Sequence, residues 1–370
     1  MNNYIVNESR RPTLITSYPN AINTNNTQYS EGTINPVDKK TITKVVNIDS
    51  IFRHNYRKTS STNFNWDLIK SEANVVSMRV SSVDIPISWY AISDINGRNQ
   101  FCVNLHNMND GSGNSVSDEL NVVVSIPPGN YTSELFAATL NKLFHSQGRG
   151  LQFLIAFVDS VTLKTIIRAI DKTDSTATLT HVAFDSANIY YSPDFYFELD
   201  FFPHRDKYIQ IIDVKLLYEY QRTIGWFMGF QKYNYIIKKD NIVQHILFNA
   251  NHQSLFYDCG LSSESQYNNS QMNYIFIVID DFHSNCVSQS IVSSTGDNYI
   301  SNNILARITV NNTSSSVVYD NGSDKIFKER AYMGPVTLEK LKISVINRYG
   351  ELIDLNGRDF SLTLELTELY

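Results

Sequence analysis

Asp280-Asp281-Phe282-His283 is the densest set of potential metal ligands in the chain. Two carboxylates and an imidazole suit a divalent cation if the backbone folds them onto one point. They also follow an apolar run, Tyr274 to Ile279, and so suit a buried strand that ends where it meets water. The second reading is the expectation, because none of the eight His pair with each other at the helical or hairpin spacing of a zinc site. Nucleophilic chemistry needs a Ser or Cys beside an oriented base, and no Gly-x-Ser-x-Gly elbow is present. Cys102, Cys259 and Cys286 show no CxxC spacing and read as reduced thiols, with Cys259 a small buried hydrophobe. The Gly-dense stretch Asp110-Gly111-Ser112-Gly113-Asn114 lacks the Lys and the strand-to-helix setting of a phosphate loop. A glycosidase-type carboxylate pair stays open, since distant Asp and Glu converge only in a fold. The expectation is therefore no catalytic residue, no cofactor and no enzyme.

Those residues sit in a chain of 370 residues, 42% hydrophobic and 18% charged, long enough for more than one core. A net charge of −6 argues against affinity built on phosphate neutralisation, so no nucleic-acid partner is expected. The longest apolar run is too short for a membrane span, and no signal peptide is readable at Met1-Asn2-Asn3. Tyr is abundant at 22 residues; an interface-rich protein would show this, and so would an Asn- and Tyr-rich proteome from an AT-rich genome.

Residues 1–40 are rich in Asn, Ser and Thr, with Pro12, Pro19 and Pro36 and no apolar period. They read as an extended N-terminal arm, either a frayed tail or a segment that orders against a neighbouring subunit. In the second case Arg10 and Arg11 are its anchors, through bidentate pairing with carboxylates. From Thr41 the pattern is β. Phe64, Trp66 and Leu68 alternate with polar neighbours, as do Val76, Met78 and Val80, and Phe360, Leu362, Leu364 and Leu366. One helix is predicted after Thr132, with Asn130 and Thr132 as caps, an apolar face of Phe136, Leu140, Leu143 and Phe144, and Gly148 as its stop. A hairpin across Asp159-Ser160, an aromatic strand at Phe195 to Phe201 and a short helix within 223–230 follow. The chain is thus all-β: a sandwich built from 41–127 and 241–370, interrupted by a smaller α+β insertion at 128–240.

Ile126-Pro127-Pro128-Gly129-Asn130-Tyr131-Thr132, with the helix that carries Leu140-Asn141, resembles the insertion of adenovirus penton base proteins. There a strand ends in Pro-x-Gly-Asn-Tyr-Ser/Thr and leads into a helix with a Leu-x-Asn-like stretch. Gly225-Trp226-Phe227-Met228-Gly229-Phe230 is similar to a later stretch of the same family. Asn47 to Ser50 with Arg53, Asn74 to Val80 and Gly357 to Leu366 resemble penton-type or minor capsid proteins of large nucleocytoplasmic DNA viruses. The integrin-binding Arg-Gly-Asp loop of some adenovirus penton bases has no counterpart. The resemblance implies a jelly-roll sandwich and structural roles for Pro127, Gly129, Asn130, Tyr131, Thr132, Leu140, Asn141, Gly225, Gly229 and Phe230. It implies a virion protein, assembled in the host cytoplasm, that pairs with copies of itself as a pentamer and with major and other minor capsid proteins. Two alternatives are a virion receptor- or glycan-binding minor capsid protein, with 128–240 as its recognition surface, and a carbohydrate-active enzyme on a β-sandwich.

Overall fold

A computed structural model of the chain describes residues 40–108, 114–169, 191–205, 218–238, 259–268, 272–284, 294–295, 298–299, 303–310, 317–320 and 328–370. Arg10, Arg11, Cys286 and most of the Gly-dense stretch lie outside the described residues. In chain order, β1 (Thr41–Asp49) and the long β2 (Asn63–Pro86) come first. Next are β3 (Gln100–Met108), β4 (Glu119–Ser125), α1 (Ser133–Gln147), β5 (Leu154–Val158), β6 (Lys164–Ala169) and β7 (Tyr191–Asp200). A four-residue helix α2 (Ile224–Phe227), β8 (Asn234–Ile237) and β9 (Gly260–Gln266) complete the middle. The last part holds β10 (Tyr274–Asp280), the two-residue β11 (Ser294–Thr295) and β12 (Asn298–Tyr299), and β13 (Ile304–Thr309). It closes with β14 (Val317–Asp320), β15 (Glu329–Ile346) and β16 (Ser361–Leu369).

The sandwich is made by the two ends of the chain. Its strands run β1-β16-β2-β15-β10-β13, with β14 beside β2, all in antiparallel pairs. β1 and β16 pair without a break from Thr41↔Leu369 to Asp49↔Ser361. β16 alternates strictly, sending Leu362, Leu364 and Leu366 inward. β2 and β15 are too long for one flat sheet, and their register slips three times between Ala331 and Lys340. Such irregularities let a strand bend and a sheet turn a corner. One core therefore takes residues from both margins of the sheet, from Ile48 of β1 to Leu305 and Ile308 of β13. β10, which carries the apolar run Tyr274 to Ile279, is covered on both faces. Ile275, Ile277 and Ile279 enter this core, and Phe276 packs with Ile304 and Ile346 on the other side.

The middle of the chain has a second core. β4-β3-β7-β8 form one sheet and β5-β6-β9 another. α1 lays Phe136, Leu140 and Phe144 into the space between, as its period predicts. The placement of residues 100–127 in the sandwich is corrected by these pairings: β3 joins β7 and β4, and Phe101, Val103, Leu105, Val122 and Val124 belong to the second core. β9 likewise pairs with β6, although the sequence puts it beyond the insertion. The physical reason is that a strand's alternation names an inward face but not a partner; pairing is decided by residues ninety positions away.

The two glycines near α2 are there for close approach. A Cβ on Gly225 would meet the Cβ of Phe201 at 2.4 Å. Gly229 has φ +92°, and a Cβ there would meet the carbonyl oxygen of Ser265 at 2.2 Å. α2 thus lies directly on the end of β7, and the Gly229 turn lies directly on β9, where its carbonyl accepts the Ser265 N–H at 2.9 Å. Phe230 then stacks on Phe201 with ring centres 4.5 Å apart.

Candidate functional site

The segment leaving β2 passes between the two cores in three residues. Trp89 is buried in the sandwich core and Ile92 in the insertion core. The residues singled out at 127–132 close over this crossing. Gly129 and Ile92 exchange both backbone hydrogen bonds at 3.0 Å. Asn130 accepts the Ala91 N–H through Oδ1 at 2.7 Å and donates through Nδ2 to the Trp89 carbonyl at 3.0 Å. Asn130 is therefore a stitch to the crossing segment. The expected cap role falls to Thr132 alone, whose Oγ1 accepts the Leu135 N–H at 3.2 Å. Pro127 has no N–H to add to a ladder, and its carbonyl accepts the Tyr131 hydroxyl at 2.8 Å. Burial pushes the Tyr131 hydroxyl above its ordinary pKa, so it stays a donor.

Leu140 and Asn141 hold the helix from the other side. Leu140 is fully buried. Asn141, 2% exposed, donates to the Ala156 carbonyl at 2.7 Å and accepts the Ala156 N–H at 2.8 Å. It acts as a short piece of strand for β5, which answers what an amide is doing in an apolar core. Tyr267, at the end of β9, gathers the motifs. Its ring packs on Phe136 and Phe227 at 5.1 and 5.0 Å, and its hydroxyl donates to the Tyr131 carbonyl. The 127–132 turn, α1, α2 and β9 therefore meet in one place.

A charged network locks the lobes beside this joint, and local sequence patterns gave no sign of it. Arg98 Nη2 lies 2.7 Å from Glu351 Oε1 and 3.3 Å from Glu219 Oε2. Arg222 Nη1 lies 2.6 Å from Glu351 Oε1, and Arg222 also pairs with Glu219. Two guanidiniums and two carboxylates thus alternate, with Glu351 from the sandwich and the other three from the insertion. Burial alone would raise the Glu351 carboxyl, but the Arg98 hydrogen bond and the Arg222 and Arg98 charges hold it below its ordinary value. Arg222 also lies 5.0 Å over the Tyr349 ring. Apart from Glu219 and Arg222, three positions from each other, these pairs are 121 to 253 residues apart, so no spacing in the sequence could have announced the network.

Next to the network is a cleft of about 470 Å³ between the lobes, walled by Trp89, Tyr90, Ile95, Leu352 and Ile353. It is built mainly from residues 89–98 and 347–356, with Pro128, Arg222 and Ile224 from the 128–240 stretch that the receptor- or glycan-binding alternative takes as its recognition surface.

Asp280, Asp281 and His283 do not converge on a point. Asp280 accepts the Phe282 N–H at 2.9 Å. His283 takes the Thr337 carbonyl through Nε2 at 3.0 Å. Asp281, 3% exposed, accepts from Arg330 Nη1 at 2.7 Å and from the Tyr332 hydroxyl, and its other oxygen accepts the His283 N–H at 3.0 Å. Asp281 is spent on a buried ion pair that reaches the bent part of β15. Among the described residues no group of three His, Cys, Asp or Glu is placed to hold a metal, and no helix is long and apolar enough to cross a membrane.

No protein-family profile and no curated protein matches the sequence. Solved structures that align with the chain include the following two. The mavirus penton protein aligns at 9% identity and a TM-score of 0.43, covering 90% of this chain and 100% of that one. A chain of the Sputnik virophage structure aligns at 13% identity and a TM-score of 0.39, covering 90% and 98%.

Proposed function

We propose that the protein is a structural capsid component of an icosahedral DNA virus, the penton-type subunit that forms a ring of five at the vertex. One observation carries this reading. The stretch whose residues resemble the penton-base insertion motif, Pro127 to Thr132, is the joint where the chain crosses from sandwich to insertion. Here Gly129 and Asn130 are spent on tying the insertion to Trp89–Ile92, the segment by which the chain leaves the sandwich. Each lobe has its own core, and we place the insertion at about 90–272 within a jelly-roll sandwich of about 41–89 and 273–370.

The mechanism is geometric. A rigid two-lobed subunit repeats by head-to-tail contacts until the rotation closes. Rigidity matters because a small hinge error in each copy accumulates around a ring. The arm at 1–40, anchored through Arg10 and Arg11, extends the contacts to major and other minor capsid proteins, at the virion shell assembled in the host cytoplasm. Purified full-length chain examined by sedimentation velocity and mass photometry tests the reading. A species of five chains supports it. A chain that stays monomeric at every concentration refutes it, and measurable glycosidase activity lost on a single Asp or Glu substitution would replace it.

A further inference from the structure

The loop after β1 is held far more rigidly than a surface turn requires. Arg53 is buried and uses all three nitrogens: Nη1 donates to the Ser50 carbonyl at 2.7 Å and to Asp359, Nε to the Thr59 carbonyl, and Nη2 to the Tyr56 carbonyl. Tyr56 lies under the guanidinium at 4.0 Å and donates its hydroxyl to the other Asp359 oxygen at 2.9 Å. Ser50 and Phe360 exchange hydrogen bonds beneath. What this frame presents to solvent is apolar: Ile51 is 50% exposed and Phe52 is 76% exposed. A fixed Phe costs little further entropy when a partner covers it, which is the profile of an interface anchor. Around it His54, Arg57 and Lys58 are exposed and enter no ion pair among the described residues.

The same molecule carries the complementary shape. The interlobe cleft of about 470 Å³ leaves Tyr90, Ile95 and Leu352 roughly half exposed, and its size lies in the range of sites that enclose an apolar group. Its rim bears two exposed carboxylates, Asp94 and Asp354. Arg98 and Arg222 in the wall are already matched by Glu219 and Glu351, and Arg348 lies over the rings of Tyr274 and Tyr349. A cationic apolar projection and an acid-rimmed apolar cleft on one chain are complementary in charge as well as in character. Phe52 is exposed, so it does not fill its own cleft.

We infer that Ile51 and Phe52 of one copy insert into the cleft bounded by Tyr90, Ile95 and Leu352 of the next copy, with Arg57 and Lys58 facing Asp94 and Asp354. This rests on the capsid reading above and specifies its self-contact. Because projection and cleft are different surfaces, the contact is heterologous and propagates until it closes. It also gives the charged network a purpose: the cleft has one wall on each lobe, so the lobes must be locked for the cleft to keep its shape.

The test uses the full chain carrying Cys286→Ser. A Phe52→Cys chain and a Leu352→Cys chain with tags of different length are co-expressed and mildly oxidised. The expected result is a disulfide between differently tagged chains and none when either variant is alone. The double variant should give a covalent ladder longer than two chains; a ladder that stops at two overturns the head-to-tail order. Phe52→Asp, at an exposed position, should keep the circular-dichroism spectrum and raise the apparent dissociation constant about 30-fold or more, as loss of an anchor does. If the chain still oligomerises, yet no mixed disulfide forms and Phe52→Asp leaves the dissociation constant unchanged, this contact is wrong and the capsid reading stands. A wild-type chain that never oligomerises removes both.

Discussion

Replacing Arg330 with Met removes one partner of the most deeply buried ion pair in the sandwich. Arg330 and Asp281 side chains are 3% and 1% exposed. The substitution leaves the Asp281 carboxylate in an apolar site with only the Tyr332 hydroxyl and the His283 N–H to stabilise it. Breaking such a pair from one side costs about 3–5 kcal/mol. At about 2–4 °C per kcal/mol for a domain of this size, the sandwich transition should fall by roughly 6–20 °C in scanning calorimetry. Asp281→Asn should do the same by orphaning the guanidinium. Asp281→Leu combined with Arg330→Met removes both charges and should recover most of the loss, because no uncompensated charge remains. If each single change costs less than about 1 kcal/mol and the two add, the reasoning is wrong. The same samples separate the ion pair from a metal site. A chelator should leave the wild-type transition where it is, whereas a cation held by Asp280, Asp281 and His283 would make it fall.

Three further outcomes follow from the joint and its surroundings. Gly229→Ala should destabilise the insertion by about 1–3 kcal/mol in urea unfolding, since its Cβ would sit 2.2 Å from a backbone oxygen that cannot move without β9; Gly357→Ala, with nothing within 4 Å of its Cβ, isolates the cost of positive φ alone. Asn141→Leu should cost about 2–5 kcal/mol, because it leaves the Ala156 N–H and carbonyl buried and unpaired. Glu351 is held below its ordinary value when folded, so its contribution is present above its unfolded pKa and lost as pH falls through the folded one; the stability advantage of wild type over Glu351→Gln should therefore be constant near neutrality and shrink below about pH 4.

What the sequence made legible was local. The inward faces of β16 and of α1 are those that period two and period 3.6 predict, and the cap at Thr132 and the stop at Gly148 are where they were expected. The β5–β6 hairpin across Asp159-Ser160 was legible too. The sandwich boundary was not legible: β3 and β4 look like any half-buried strands, and β7, with which β3 pairs, lies beyond α1, β5 and β6. Of the site, Asn130 was given a helix cap, and it bonds instead to a segment 39 residues earlier. Glu219 and Arg222 are three positions apart, but nothing in the sequence joins that pair to Arg98 or Glu351, so only coordinates could.

The placement of that network bears on how the two lobes can behave. Trp89 and Ile92 anchor the crossing segment in different cores three residues apart, which leaves no slack for a flexible linker. Ser88 Oγ donates to the Leu355 carbonyl at 2.6 Å and Asn356 returns a bond to the Ser88 carbonyl, so the start of the crossing is tied to the turn before β16. On the insertion side, Arg98 is fixed at its backbone as well as at its guanidinium, because its carbonyl accepts the Ile224 N–H at 2.7 Å from the start of α2. A rotation between lobes would have to break the Asn130–Trp89 bond and the Arg98–Glu351 and Arg222–Glu351 contacts together, although each alone is worth only about 0.5–3 kcal/mol. The interactions are therefore cooperative in the direction that would change the angle between the lobes. Removing any one of them should lower stability modestly, and the angle between the lobes should persist until the crossing segment itself comes free.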